Sequence, residues 1–280
     1  MPIKLLNKIK KNELSLSQHC LNDSANYKDI SIKHVLGTYL FPCKDLEKNQ
    51  PLFNDGIPSL IFMPNLSDET IVRKNGNLIK LKSVWLCCGI IKDMQWEIPE
   101  GLAYIIVIRF NPSSFYSIFN IKSEVLINNT VCSFEDVVDT KWSSIIKEIY
   151  TKNKVEDKLH FWNNTLGKIN INDSLPAILK SSVSYIDEYK GNLTVSQLTK
   201  LLGKNVNKKW LQRNFSRYMG ITPKKYISLQ RFIYTYELYE KEVLAPVNIA
   251  PLRGGYYDDN HFFKDFKQYL GVSPKHYSWN

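Results

Sequence analysis

The side chains of this sequence best suited to chemistry are hydrogen-bond donors in two segments near its carboxyl end. In the major groove of DNA, Arg donates two hydrogen bonds to guanine, and Gln or Asn forms two with adenine. Gln212 and Arg213 supply such groups in the first segment. Asn260 suits adenine in the second segment, where His261 and Lys264 suit guanine or phosphate. The chemistry that these residues favour is recognition of a duplex.

Basic side chains accompany these donors, and they suit the phosphates of a nucleic acid. Some lie on the same outward helix faces, and others follow two Pro turns, where backbone amides and positive charge favour an anion. The candidate phosphate contacts are Lys208, Arg217, Lys224, Lys225, Lys267, Lys275 and His276. For one helix alone, an ordinary solvated basic face explains the pattern equally well.

The two segments are copies of one pattern, fifty-one residues apart. Residues 213–226 and 264–277 share Phe, Tyr, Gly, Pro, Lys and Tyr at matching places. Such a repeat indicates two copies of one supersecondary unit. Each predicted helix buries a stripe of residues four apart; the stripes are Leu211, Phe215 and Met219, then Phe262, Phe266 and Leu270. Solubility alone does not readily explain a repeated scaffold with repeated outward basic residues.

Further helices are predicted to position the two copies. One is capped by Asp173 or Ser174, with Pro176 in its first turn and a core face of Leu175, Ile178, Leu179, Val183 and Ile186. The next begins at Thr194, ends before Gly203, and has Val195, Leu198, Leu201 and Leu202 as its apolar residues. A long helix after Pro223 leads to the second copy. Recognition helices about one DNA turn apart would enter successive major grooves.

The amino-terminal half is predicted to be α+β, with an irregular lead-in over residues 1–30. Short apolar runs between Pro, Gly, Asn and Asp predict strands, namely Ile32–Phe41, Ser59–Met63, Thr70–Arg73, Leu78–Leu86 and Leu102–Phe110. Helical spacing follows from Pro112, again over 142–149 and over 159–169. A polar break at 170–174 marks the boundary, so we expect an α+β sensor or dimerisation domain over 1–170 and an all-α domain over 171–280.

The composition favours a cytoplasmic protein with a polyanionic partner. Residues 170–280 carry sixteen Lys and Arg against nine Asp and Glu, which is +7 of the net charge of +10. Such an uneven basic excess favours nucleic acid. We find neither a signal peptide nor a membrane span. The five cysteines have no CxxC spacing, so we expect reduced thiols.

The carboxyl-terminal residues resemble the AraC/XylS family of bacterial transcription regulators. The resemblance rests on 211–215 through Gly220-Ile221-Thr222-Pro223, and on 255–262 through Gly271-Val272-Ser273-Pro274, with Arg231 in the connecting helix. In that family, two helix-turn-helix units joined by a long helix bind adjacent major grooves. The resemblance implies base-reading roles for Lys209, Gln212, Arg213, Asn260, His261 and Lys264. Upstream, 109–112 and the helix after it resemble the β-rich sensor half of one branch.

The sequence departs from the family pattern in the first helix of each unit. Thr199 stands where Ala is usual, and Pro251 occupies the equivalent place in the second unit. Gly254 stands where an apolar residue is usual. Because Pro removes a helix hydrogen bond unless it lies in the first turn, we expect the second supporting helix to be short or distorted.

Other chemistry has little support in the sequence. There is no GxGxxG, Walker-type or HExxH motif, and the scattered histidines give no metal-ligand spacing, so we expect no enzyme activity, cofactor or metal. His34 fits a strand better than a ligand set. Cys87 and Cys88 fit packing better than redox sensing. Trp85, Trp96, Tyr104 and Phe110 fit a core better than a small-molecule pocket.

The primary hypothesis is a sequence-specific, ligand-responsive transcription regulator associated with the nucleoid. Its candidate partners are double-stranded DNA, a small-molecule effector, a second copy of the chain and RNA polymerase, and no membrane is expected. A small-molecule-binding protein or enzyme with a degenerate helical module is one alternative. An architectural DNA-binding protein without sequence preference is another.

Overall fold

The chain forms two compact units, Met1–Ser174 and Leu175–Asn280. The computed structural model describes residues 3–15, 34–44, 46–170, 175–203, 206–242 and 249–279. The first unit is α+β with antiparallel sheets, and the second is all-α. The fold class predicted from the sequence is therefore confirmed. The boundary drawn at residue 170 lies four residues before this division.

The strands of the first unit form two antiparallel sheets. The five-stranded sheet has the order β1-β8-β3-β6-β9, and the four-stranded sheet has the order β2-β7-β4-β5. The strands are β1 (Val35–Pro42), β2 (Asn49–Pro51), β3 (Ser59–Phe62), β4 (Thr70–Lys74), β5 (Asn77–Leu81), β6 (Val84–Cys87), β7 (Met94–Glu97), β8 (Tyr104–Phe110) and β9 (Val131–Ser133). Asn75 and Gly76 join β4 to β5 with positive φ at both residues, as a two-residue hairpin turn requires.

Most predicted strands are present, with two kinds of error. The run predicted as one strand, Leu78–Leu86, is two strands, β5 and β6, which belong to different sheets. At Lys82 and Ser83 the chain passes from the four-stranded sheet to the five-stranded sheet, a break that the apolar pattern does not mark. Strands β2, β7 and β9 were not predicted, because three or four residues are too few to show an alternation.

The described residues of the first unit also form five α-helices and a 3-10 turn over Phe134–Asp136. The helices are α1 (Ile3–Ser15), α2 (Pro112–Ile118), α3 (Ser123–Asn128), α4 (Thr140–Tyr150) and α5 (Val155–Gly167). The irregular lead-in was wrong for α1, whose Ile3, Leu5, Leu6 and Ile9 are at most 1% exposed. Residues 16–33 lie outside the described part. Pro112 opens α2, as predicted, and the Asn111 side chain accepts from Ser113 N.

One face of the five-stranded sheet packs against α2, α4 and α5. Phe110 of β8 and the helix residues Phe119, Trp142 and Trp162 form a buried aromatic cluster. On the other side of that sheet, the rings of Trp85 and Trp96 lie 5.5 Å apart. Trp85, Trp96 and Phe110 are all fully buried, so these three aromatic residues are core, as the sequence favoured. The same expectation was wrong for Tyr104, which is only half-buried and lines a pocket.

The part of the second unit that the structure describes forms six α-helices and a final 3-10 turn over Pro274–His276. The helices are α6 (Ala177–Glu188), α7 (Val195–Leu202), α8 (Lys208–Met219), α9 (Pro223–Glu242), α10 (Ala250–Arg253) and α11 (Asp259–Leu270). Pro176 is the residue before α6 rather than part of its first turn, and the proposed caps Asp173 and Ser174 lie outside the described residues. Ile178 and Leu201, predicted to be core, are 36% and 39% exposed.

Within the described residues, no helix is long and apolar enough to cross a membrane.

Candidate nucleic-acid interface

Helix α8 has one buried face and one basic face. The Asn207 side chain caps its first turn by accepting from Trp210 N at 2.8 Å, and Gly220 ends it in the left-handed conformation. The predicted stripe Leu211, Phe215 and Met219 is at most 3% exposed. The residues left on the exposed face are Lys208, Lys209, Gln212, Arg213 and Arg217. This face presents four positive charges and no carboxylate.

Helix α7 supports α8 through a well-formed first turn. Thr194 Oγ1 accepts from Gln197 N, and Thr194 N in turn donates to Gln197 Oε1, which completes a capping box. In the turn before α7, Gly191 O accepts a hydrogen bond from Arg231 Nε at 3.0 Å. Gly191 has a φ of +69°, and a Cβ there would lie 2.3 Å from Arg231 N. Glycine is therefore required where the α6–α7 turn contacts α9.

Helix α11 repeats this arrangement with different charges. Asp258 caps it by accepting from His261 N at 2.8 Å, and Gly271 ends it in the left-handed conformation. The stripe Phe262, Phe266 and Leu270 is fully buried. The residues exposed toward solvent include Asp259, Asn260, His261, Lys264 and Lys267.

The supporting helix of the second helix-turn-helix unit is short, as expected. Helix α10 has four residues, with Pro251 in its first turn, where the missing N–H costs no helix hydrogen bond. Gly254 follows, and a Cβ at that position would lie 1.9 Å from Thr235 Oγ1. The departure at Gly254 therefore has a steric reason, which is the close approach of α10 to α9.

An aromatic cluster around α9 stabilises the second helix-turn-helix unit. Phe266 lies within 6.0 Å, between ring centroids, of Phe232 and Tyr236, and its ring also contacts Tyr277 and Trp279. Trp279 Nε1 donates to Pro274 O at 2.9 Å. This aromatic cluster was not predicted from the sequence. The Tyr that recurs at the end of each copy, Tyr277 in the second, is the signal that could have indicated it.

Exposed basic side chains follow the two Pro turns, which come after α8 and after α11. Thr222 Oγ1 accepts from Lys225 N at 3.3 Å, and Lys224 and Lys225 are exposed. In the second copy, Ser273 Oγ and His276 Nδ1 are 2.8 Å apart. Lys275 and His276 are exposed there.

All thirteen predicted contact residues lie on the surface of the second unit. None of the six candidate base-reading side chains and none of the seven candidate phosphate contacts is packed into the core. Their contacts with DNA stay predictions, since surface exposure is a condition for such contacts and not a demonstration of them.

A narrow pocket lies in the first unit between the five-stranded sheet and helices α4 and α5. About 320 Å³ of space lies within its outline, a volume that includes open solvent at its mouth, and its walls leave room for only about one water molecule. Its walls include Phe62, Tyr104, Ile108, Tyr150, Lys158 and Trp162. Lys158 Nζ donates to Pro64 O at 2.6 Å and lies 4.9 Å from the centre of the Tyr150 ring. Burial lowers the pKa of the Lys158 ammonium.

Cys87 and Cys88 are packed as the sequence favoured, whereas His34 lies in the turn before β1 and not in the predicted strand. Cys87 and Cys88 are fully buried, and burial raises the pKa of both thiols. Burial likewise raises the pKa of Cys43 to about 12. Thiols of this kind stay protonated and unreactive near neutral pH. His34 is buried, with Nε2 3.3 Å from Ile169 O. Among the described residues, no cluster of His, Cys, Asp and Glu could hold a metal ion.

Comparison with known proteins agrees with this geometry. Residues 204–279 match a family model described as a helix-turn-helix domain, of the AraC type. Residues 204–279, about a quarter of the chain, are therefore similar to the helix-turn-helix domains of DNA-binding transcription regulators. A comparison with curated protein sequences gives no match.

Several solved structures are similar over most of their length. ToxT from Vibrio cholerae O395 is 17% identical, with 86% of this chain and 92% of that chain covered and a TM-score of 0.41. ToxT from V. cholerae strain SCE256, solved with an unsaturated fatty acid bound, is 15% identical, with 91% and 95% covered and a TM-score of 0.44. The AraC-like transcriptional activator CuxR is 13% identical, with 78% of each chain covered and a TM-score of 0.24.

Proposed function

We propose that this protein is a sequence-specific transcription regulator that reads two successive major grooves of DNA with α8 and α11. The observation that carries the proposal is the pairing of two faces on each helix. One face is anchored in the core by a capped and Gly-terminated apolar stripe. The other face presents Arg, Gln, Asn, His and Lys to solvent, which are the side chains that hydrogen-bond base edges and phosphates.

The connecting helix supports reading of two grooves, because both recognition helices pack on it. Helix α9 has twenty residues, so it is about 30 Å long. Phe215 of α8 contacts Tyr226 near its start, and Phe266 of α11 contacts Phe232 and Tyr236 further along. One rigid helix therefore fixes the position of each recognition helix relative to the other, as entry into two successive major grooves requires.

We further propose that a small molecule bound by the first unit regulates DNA binding. The pocket between the sheet and α4–α5 supports this, because it is mainly apolar and contains the polar Nζ of Lys158. A thermal-shift panel of small apolar amphiphiles would find ligands, followed by DNA titration at saturating ligand. We expect a compound that raises the melting temperature to change the DNA affinity as well. A stabilising compound that leaves DNA affinity unchanged contradicts this regulation.

A second copy of the chain and RNA polymerase complete the set of proposed partners. A regulator of this kind acts on the chromosome in the cytoplasm. The mass of the protein in solution, alone and on its selected duplex, tests self-association. A single copy on the duplex contradicts the dimer.

The central experiment is selection of bound sequences from a random duplex pool by the purified full-length protein. We expect enrichment of one family of sites, with affinity that falls steeply as salt rises. Retention without enrichment favours an architectural DNA-binding protein. Absence of retention, together with turnover of a small molecule, favours the enzyme or binding protein with a degenerate helical module.

A further inference from the structure

One large side chain in the second helix-turn-helix unit is almost fully exposed. Tyr257 is 89% exposed, more than any other large apolar residue in the described part of the chain. It lies in the turn between α10 and α11, one residue before the capping Asp258. The exposed Asn260 and His261 are at this same amino-terminal end of α11.

The residues on both sides of Tyr257 are firmly held. Gly255 has a φ of +85°, and Tyr256 is buried with its hydroxyl donating to Asp265 Oδ2 at 2.9 Å. The Tyr256 ring also meets Phe262 edge to face, with centroids 5.4 Å apart. On the other side, Asp258 caps α11. Tyr257 is therefore displayed from a fixed backbone.

Comparison with the first unit shows that packing does not require this side chain. Each recognition helix has a capping residue, Asn207 or Asp258, and the residue before it is Val206 or Tyr257. Val206 is only 7% exposed, whereas Tyr257 is almost fully exposed. In the second unit Tyr256 fills the core instead. The exposed ring of Tyr257 is therefore not needed for the packing of the second helix-turn-helix unit.

The charges of the two recognition helices differ in a way that gives Tyr257 a role. Helix α8 carries four Lys and Arg and no acidic residue. Helix α11 carries Lys264 and Lys267 against Asp259 and Asp265. The second helix therefore gains less from the attraction of phosphates, and contacts that need no net charge matter more for it.

We propose that Tyr257 is a DNA contact that the second unit has and the first lacks. Its ring packs against a deoxyribose at the rim of the groove that α11 enters, and its hydroxyl donates a hydrogen bond to a phosphate oxygen. Tyr side chains make such phosphate contacts in protein–DNA complexes. The inference rests on the proposed DNA-binding function. Because the contact is neutral, it adds affinity without releasing a counterion.

The test compares full-length Tyr257→Ala and Tyr257→Phe with the unchanged protein on the duplex that the unchanged protein selects. Tyr189→Ala is the matched control, because Tyr189 is a 44% exposed tyrosine of the same all-α domain, at the end of α6. Dissociation constants are measured over a series of salt concentrations. Melting curves show whether each variant stays folded, which we expect because both side chains are exposed.

We expect Tyr257→Ala to weaken binding about threefold to tenfold, the range for one lost hydrogen bond with its packing. Tyr257→Phe should lose part of this, Tyr189→Ala should bind as the unchanged protein does, and all should keep the same salt dependence. Unchanged binding by Tyr257→Ala, or an equal loss in Tyr189→Ala, overturns the role of Tyr257 and leaves the DNA-binding function standing. If the unchanged protein selects no duplex, both proposals are overturned.

Discussion

In the first helix-turn-helix unit the supporting helix α7 has eight residues and a capping box, whereas in the second α10 has four residues and no side-chain cap. The recognition helices α8 and α11 nevertheless have twelve residues each, equivalent caps and equivalent buried stripes. The second unit must therefore obtain its rigidity from contacts other than those of its first helix.

The packing around each recognition helix shows where that rigidity comes from. Phe215 of α8 contacts one aromatic ring, that of Tyr226, among the described residues. Phe266 of α11 contacts five rings, including those of Tyr277 and Trp279 from the final segment. Aromatic burial and the carboxyl-terminal segment thus replace most of a supporting helix. One scaffold can be stabilised in two ways while its outward face is kept.

The largest expected effect comes from removing the central aromatic ring of each unit. Phe215→Ala and Phe266→Ala should each lower the free energy of unfolding by about 3–5 kcal/mol, since both side chains are fully buried. We expect the larger loss for Phe266→Ala, because more rings lose a partner. Chemical denaturation followed by circular dichroism measures both. A smaller loss for Phe266→Ala than for Phe215→Ala would break the comparison.

Two glycines at matching places in the repeat should differ in why they are needed. Gly203 ends α7 with a φ of +95° and open space around it, whereas Gly254 ends α10 with an ordinary φ and faces Thr235. Gly254→Ala should cost about 1–3 kcal/mol through overpacking. Thr235→Ala should restore part of that stability.

The control for this pair is Gly203→Ala, which should cost about 1 kcal/mol from its backbone conformation. Thr235→Ala should do nothing for it. Equal rescue of both glycine variants by Thr235→Ala would show that the clash is not the cause.

The capping residues offer a smaller effect that separates stability from charge. The first unit uses Asn207 and the second uses Asp258, and Asn caps about as well as Asp. Asp258→Asn should therefore change stability by less than about 1 kcal/mol while removing a negative charge beside the proposed DNA surface. We expect tighter DNA binding at low salt. Unchanged binding at low salt by a folded Asp258→Asn variant would show that this end of α11 faces away from the phosphates.

The smallest expected effect concerns the salt dependence of single phosphate contacts. Arg217→Ala should reduce the slope of log K against log salt by about one, with similar loss on all sequences. Lys267→Ala in the second unit should do the same. Binding titrations over several salt concentrations measure both slopes. An unchanged slope removes that residue from the set of phosphate contacts.

The sequence predicted the parts of the fold that depend on near neighbours in the chain. The stripe of Leu211, Phe215 and Met219 follows from helical spacing, and the ends of α8 and α11 follow from Gly220 and Gly271. The short α10 follows from Pro251. Each of these signals lies within one or two helical turns, which is the range over which residue spacing determines structure.

The parts that were missed depend on contacts between distant residues. Trp279 packs on Tyr236 and Tyr239 of α9, and nothing local in the final residues indicates that partner. Leu201 has the spacing of a core residue, but its side chain is not packed into the core and remains 39% exposed. Helix α1 was missed because its polar residues outnumber its apolar ones and the segment has no strong start or stop signals.

The most direct test of two-groove reading is to repeat the duplex selection with Arg213→Ala and Asn260→Ala. Each variant should lose preference at one position of the selected site, at about 1–3 kcal/mol per lost bidentate contact, and should keep salt-dependent nonspecific binding. The two lost positions should lie about 10 base pairs apart. Unchanged preferences in either variant, or two lost positions within the same groove, would contradict the account.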